Sequence, residues 1–297
     1  MVKRVFLFVL TNIAVLATVS IVLAVLGQLG FSGMAGGQGA LLVYCAVWGF
    51  GASIVSLLIS RWMAKRAMGV QLIGPDARDA DAQWLYNTVA RLTQQANLPM
   101  PEVGIYQSPE LNAFATGPSK KRSLVAVSTG LLSRMDRQEI EGVLAHEVTH
   151  IANGDMVTMT LIQGVVNAFV LYLSHVVAFF ARNFLGRDEN GRPSMAGYLV
   201  SQLVFIVAQI AFGVVGMMIT GWFSRHREFR ADAGGASLAG RGSMIAALRR
   251  LAQAQAVVDP RGPELAAFKI SGRSRMMALF ATHPPLEARI AALESRA

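Results

Sequence analysis

Residues 5–60 contain no Asp, Glu, Lys or Arg. So long a charge-free stretch has nowhere to go in a small water-soluble domain, and a bilayer accommodates it naturally. Val5 to about Leu26 is long enough to span, residues 27–39 are Gly-rich and read as a short loop, and residues 40–60 form a second span. Lys3 and Arg4 precede the first run, Arg61, Lys65 and Arg66 follow the second, and the loop between them has no basic residue. The positive-inside rule then puts the N-terminus and the chain after residue 60 in the cytoplasm. The first run is too long for a secretory signal and lacks a small-x-small cleavage site, so an uncleaved anchor is expected. Two more apolar runs, about 156–180 and 196–222, flank a polar, turn-rich linker at 181–194. If both span, the three arginines of that linker lie on the disfavoured side, opposed by Arg225, Arg227 and Arg230. A buried helical hairpin is the alternative for these two runs. Composition agrees with several spans: 53% of residues are hydrophobic and 15% charged, with a mean hydropathy of +0.44. The net charge of +9 is explained by membrane topology. No basic stripe is interleaved with aromatics, so nucleic acid is not an expected partner. Cys45 is the single cysteine, which excludes an intrachain disulfide, and it reads as a small buried hydrophobe.

The chemistry concentrates in His146-Glu147-Val148-Thr149-His150. Histidines four apart stack on one helix face, so their ring nitrogens can converge on one zinc ion. Glu147, about 100° round the helix, can take a proton from a metal-activated water. The pattern is that of metal-assisted peptide hydrolysis. Asp136-Arg137-Gln138-Glu139 predicts a capping box, Ile140, Val143, Leu144, Val148 and Ile151 an apolar stripe, and Asn153-Gly154 a stop. With Arg137, Glu139 and Glu141 in its first turns, this helix is too polar to cross a bilayer. The site is expected in a water-exposed domain.

A catalytic zinc needs a third protein ligand. The position ten residues after the first histidine is Met156, which excludes the class that uses a third histidine there. Glu228 and Asp232, four apart after the fourth apolar run, offer a carboxylate ligand and a carboxylate that orients a histidine through its second ring nitrogen. Two crossings separate the zinc helix from Glu228, which would bring the ligands together at the membrane surface. His226 and His175 are the rival ligands; otherwise His226 is an exposed cation and His175 a neutral packing residue.

These residues, with Asn112-Ala113-Phe114-Ala115-Thr116-Gly117, Thr282-His283-Pro284-Pro285 and Arg289, give the chain a resemblance over nearly its whole length. It resembles the HtpX-type bacterial membrane zinc endopeptidases, heat-shock membrane proteases related to the CAAX prenyl proteases. The resemblance implies one zinc held by His146, His150 and Glu228, with Glu147 as general base and no further cofactor. It implies four spans, an inner-membrane location with the active site and both termini cytoplasmic, and unfolded or misfolded membrane proteins as substrates. It also implies that His283 and Arg289 act as a transition-state pair, and that Asn112, Ala113 and Phe114 belong to an edge strand that binds substrate. Read from composition alone, residues 102–106, 112–116 and 123–128 are strand-like, and an exposed edge among them could pair with a substrate backbone.

The expected fold is a four-helix membrane part, residues 1–60 and 156–222, carrying a mainly helical α+β zincin-like cytosolic domain from residues 61–155 and 223–297. Within that domain, residues 81–96 predict an amphipathic helix through Trp84, Leu85, Val89 and Leu92, residues 243–254 and 285–293 predict closing helices, and residues 268–275 a loop. The rival readings are a prenyl-protein processing enzyme, a catalytically silent zinc-containing scaffold, and a transporter using Gln163, Asn167, His175, Gln202 and Gln209.

Overall fold

The computed structural model describes residues 38–185, 194–257 and 283–295. The first predicted span and the loop at 268–275 lie outside them. The described residues form two compact units. One holds residues up to Ser56 and Met159–Thr220, the other Leu57–Thr158 and residues from Gly221 on.

The second unit carries a four-stranded sheet. β1 (Gln71–Ile73), β2 (Glu102–Tyr106), β3 (Ala113–Thr116) and β4 (Leu124–Ser128) lie in the order β1-β2-β4-β3. β2 and β4 run parallel; β1 and β3 close the two edges antiparallel. The chain leaves β2 for the far edge and returns to fill the gap, which is why two strands close in sequence can pair in parallel. Every residue of β4 is buried, because both faces of the sheet are covered. Val125 and Val127 face α2 (Ala80–Gln95) and α4 (Arg137–Asn153), meeting Leu85, Val89, Leu144 and Val148. Leu124 and Ala126 face the other way, beside Tyr106, Phe114 and Met68.

The motif helix α4 starts where the sequence marks it. Asp136 accepts from the Glu139 N–H at 2.8 Å and the Glu139 side chain accepts from the Asp136 N–H at 2.9 Å, a reciprocal capping box. It ends at Gly154, left-handed at φ 69°, a conformation that glycine adopts without Cβ strain. A short helix α3 (Thr129–Arg134) precedes it. α5 (Asp155–Leu185) begins at once after Gly154, and α6 (Met195–Ala239), α7 (Arg241–Val257) and α8 (Leu286–Glu294) complete the described chain.

In this unit α4 is gripped by close backbone contacts. A Cβ on Gly142 would lie 2.4 Å from the Ser243 carbonyl oxygen of α7; one on Gly234 of α6 would lie 2.3 Å from Thr149 Cγ2; one on Gly235 would lie 3.1 Å from the His146 nitrogen. The C-terminal part of α6 therefore reaches α4 only because these positions lack side chains.

Among the described residues, the first unit contains parts of three helices. α1 (Gln38–Met68), α5 and α6 are the candidate membrane spans, long and apolar enough to cross a bilayer. Their outer surfaces show Phe169, Phe179, Leu199, Leu203 and Ile210. Small residues let α1 and α5 approach: a Cβ on Gly49 would fall 2.4 Å from the Ala168 nitrogen. His175 packs here between the rings of Tyr44 and Phe205.

Gly142→Ala tests the α4–α7 contact. Alanine favours helix by about 1 kcal/mol over glycine, but the backbone oxygen opposite cannot rotate away. We expect a net loss of roughly 1–3 kcal/mol, read as a lower unfolding temperature in detergent; an unchanged or higher temperature would show the two helices free to separate.

Candidate metal centre

His146 and His150 project from the same face of α4, and Glu228 comes from α6. Candidate ligand atoms of these three residues lie within 4.8 Å of one another, and all three side chains are buried. The Nε2 atoms of the two histidines are 3.1 Å apart. His146 Nε2 lies 3.5 Å from Glu228 Oε2 and His150 Nε2 lies 3.4 Å from Glu228 Oε1. His226, also on α6, meets the Trp222 carbonyl one turn back through Nδ1 at 2.9 Å and packs at a tilt against the Trp222 ring. His175 keeps to its aromatic neighbours. Neither belongs to the cluster that the described residues form.

The opposite ring nitrogens are each held by a carboxylate. His146 Nδ1 meets Asp232 Oδ1 at 3.0 Å and His150 Nδ1 meets Asp155 Oδ2 at 2.6 Å. Asp232 in turn is clamped by Arg289, whose Nε and Nη2 donate to its two oxygens at 2.7 and 2.5 Å. Arg289 also places Nη1 3.4 Å from Glu228 Oε2. His283 Nδ1 reaches the same Glu228 oxygen at 2.9 Å. The two residues differ in access: the Arg289 side chain is 7% exposed and the His283 side chain 62%. Glu147 is half-buried between two fully buried neighbours.

The electrostatics follow from this packing. Burial opposes ionisation of Glu228, yet His146, His150 and His283 hold its carboxyl below the usual carboxylate range. Burial likewise disfavours the Asp232 carboxylate, and Arg289 and His146 bring it down. For His150, burial alone would depress the imidazole; the hydrogen bond to Asp155 and the nearby Glu228 carboxylate carry it from 6.5 up to about 9.

The donor set suits a metal ion. With Nδ1–H committed to a carboxylate, each neutral imidazole turns a lone pair outward through Nε2. Two such lone pairs then face each other, and the buried Oε1 of Glu228 has no hydrogen-bond partner. Acceptors converging in this way call for a shared cation, a metal ion or, without one, a proton on an imidazole.

A family model described as peptidase family M48 matches residues 79–297. The chain belongs to peptidase family M48. It is similar to the protein named Protease HtpX of Shewanella oneidensis, at 52% identity over 301 residues covering 99% of this chain and 100% of that protein. The Protease HtpX of Tolumonas auensis is also 52% identical, over 291 residues and 98% of each chain. Among solved structures, the crystal structure of S. mikatae Ste24p matches with a TM-score of 0.67 at 18% identity, covering 99% of this chain and 67% of that one. That likeness is one of fold. With membership of a peptidase family, a His/His/Glu metal cluster and three helices fit to cross a bilayer, the chain is a membrane-embedded metallopeptidase acting on protein substrates.

The structure brings together His146, His150, Glu228, Asp232, His283 and Arg289. Asn112 and Ala113–Thr116 fall at the sheet edge, where β3 has only β4 as a strand partner among the described residues. Side chains alternate there: Ala113 and Ala115 pack toward α4, and Phe114 packs on Tyr106, on the opposite face. Asp155 has a position the sequence reading did not assign. It lies outside the motif by spacing, and only the left-handed turn at Gly154 folds it back onto His150.

Asp155 gives a direct test. Loss of such an outer carboxylate usually weakens metal binding about 10- to 100-fold, and we expect that for Asp155→Ala, with Asp155→Asn intermediate, in a chelator competition. Because the folded His150 pKa is raised, its proton stabilises the metal-free fold fully below 6.5, and this is lost as pH rises through about 9. Metal must displace that proton, so apparent affinity should climb between pH 6.5 and 9 and then level. A flat profile over that interval would show that His150 binds no proton in competition with the metal.

Proposed function

We propose that the protein is a zinc endopeptidase of the bacterial inner membrane that hydrolyses misfolded or damaged membrane proteins on the cytosolic side. The observation that carries this reading is the buried His146–His150–Glu228 cluster with an outer carboxylate behind each histidine. Zinc is favoured by two imidazoles and one carboxylate. A tetrahedral zinc with ligands at about 2.0–2.2 Å spaces its donor atoms roughly 3.3–3.6 Å apart, close to the 3.1–3.5 Å gaps of the cluster.

In this reading His146, His150 and Glu228 hold the ion. When bound, zinc lowers the pKa of a water and polarises the scissile carbonyl. Glu147, the half-buried member of the motif, takes the water's proton and passes it to the leaving nitrogen. Asp232 and Asp155 fix the tautomer and tilt of the two imidazoles. Arg289, buried and committed to Asp232, acts as a positioning residue whose charge also bears on Glu228. His283 is the exposed member of the pair and is the one able to meet an oxyanion on substrate. Asn112, Ala113 and Phe114 would bind substrate through the outer backbone edge of β3, since the Phe114 side chain points away from α4.

The same reading gives four spans, about 5–26, 40–60, 156–180 and 196–222, and a zincin-like cytosolic domain from residues 61–155 and 223–297. The division of the described chain near residues 56, 158 and 220 supports these bounds. The basic residues that flank the first two runs support a cytoplasmic N-terminus.

The test uses an unfolded casein substrate in detergent. Metal-stripped protein should be inactive and regain cleavage with zinc. Glu147→Gln should keep one zinc per chain and lose at least about 10²-fold in turnover. Wild-type turnover in that mutant removes Glu147 as the base, and full activity without metal removes the metallopeptidase mechanism.

A further inference from the structure

In the first unit, α1 and α5 enclose an open cleft of about 430 Å³ lined by Ala52, Ser53 and Ser56 on one helix and Met159, Thr160, Gln163 and Asn167 on the other. Ser53 and Ser56 are small, and Gln163 and Asn167 lie four apart on one face of α5. The polar groups are linked. Gln163 Nε2 donates to Asn167 Oδ1 at 2.8 Å, Asn167 Nδ2 donates to Ser53 Oγ at 3.4 Å, and Ser53 Oγ donates to the Gly49 carbonyl at 3.2 Å. Ser53 is buried, whereas Ser56 and Gln163 are exposed.

Their depth makes this exposure meaningful. Ser53 precedes Arg61 by eight residues, and Gln163 follows Asp155 by eight, about 12 Å of helix in each case. A bilayer core is about 30 Å thick, so the cleft falls in the apolar length of both helices. Each amide brings two N–H donors and an acceptor oxygen; the relay uses one donor of each and the Asn167 oxygen. Amides turned outward in hydrocarbon are costly unless a partner satisfies them. Ser53 and Asn167 serve the α1–α5 contact itself, but Gln163 and Ser56 keep polar atoms on the open side of the cleft, where an occupant can reach them.

We propose that this cleft binds a transmembrane helix of the substrate through a polar side chain, such as Asn, Gln or Ser, that faces lipid. The inference rests on the reading of the protein as a protease of membrane proteins and names what it would recognise. In an assembled membrane protein, polar side chains within a span face a partner helix. When assembly fails, the same side chains face lipid and seek hydrogen bonds. The Gln163–Asn167–Ser53 relay offers both donors and acceptors, so it suits an amide or hydroxyl rather than one particular side chain. Ala52 and Ser56 leave room for it.

The experiment uses the full-length protein with zinc in lipid vesicles. Two model substrates share one unstructured cytosolic tail and differ in their single span, an all-Leu helix or the same helix with one central Asn. The wild-type protein should cleave the Asn-bearing substrate with a kcat/KM on the order of three- to thirty-fold higher, the range that interhelical hydrogen bonds supply in membranes. Gln163→Leu and Asn167→Leu should erase that preference while casein cleavage in detergent stays at the wild-type rate. Casein cleavage also reports folding and the metal site, so failure of the underlying protease reading appears there and not in the ratio. As a second measure, a cysteine beside the substrate Asn should crosslink to Ser56→Cys and not to Ile210→Cys on α6. Equal cleavage of both substrates, as expected for a cleft that holds only water, overturns the proposal. So does a preference that survives both leucine variants, or an intrachain crosslink from Ser56→Cys to a cysteine at Asn12 in place of one to substrate.

Discussion

Between Gly235 and the backbone of His146 there is no room for a methyl group to sit comfortably, and between Gly234 and Thr149 there is none at all. The metal cluster depends on this contact. Asp232 lies within one turn of this contact and Glu228 about two turns earlier on α6, so the distance between the two helix axes sets whether their carboxylates reach the imidazoles of α4. Gly142 does the same on another side of α4, against α7, which in turn packs with α8 and brings Arg289 into place. Two helices reach α4 because side chains are missing where they touch, at Gly234 and Gly235 on α6 and at Gly142 on α4 itself, against α7.

Charge explains why the cluster then asks for a cation. Among its buried groups, Asp155, Glu228 and Asp232 are carboxylates and Arg289 is the guanidinium set against them. Two negative charges are left in excess, the charge of a divalent ion. Arg227 approaches Glu228 Oε1 only to 3.7 Å, from a more exposed position. The imidazoles meet this excess with protons when no metal is bound, which is the origin of the raised His150 pKa.

Much of this was legible from residue order, and the limits have physical causes. The motif helix announces itself because capping, periodicity and the αL stop are local effects, each written within a few residues. Glu228 and Asp232 could be nominated because their spacing is helical. Arg289 and His283 carried no local signal and rested on family resemblance; the bidentate clamp of Arg289 on Asp232 joins residues 57 apart and exists only after folding. β1 has three residues and α3 has six, too short for any periodicity to show. Phe114 reads as a substrate contact in sequence, but the pleat turns its ring toward Tyr106. The end of α6 was also hidden: the apolar run stops near Phe223, while the helix continues unbroken to Ala239 and carries the ligand on the same rod.

The join at Gly154 has a consequence for how this chain can vary. Most helix-to-helix connections are slack and accept insertions. Here a single residue separates α4 from α5, and the first residue of α5 is the carboxylate that holds His150. One added residue would swing Asp155 by about 100° and turn the whole lipid-facing and amide-bearing surface of α5 with it. Among variants of this chain, the length between His150 and Asp155 should be fixed even where the letters change, so that a ruler rather than a residue is what selection guards at this point.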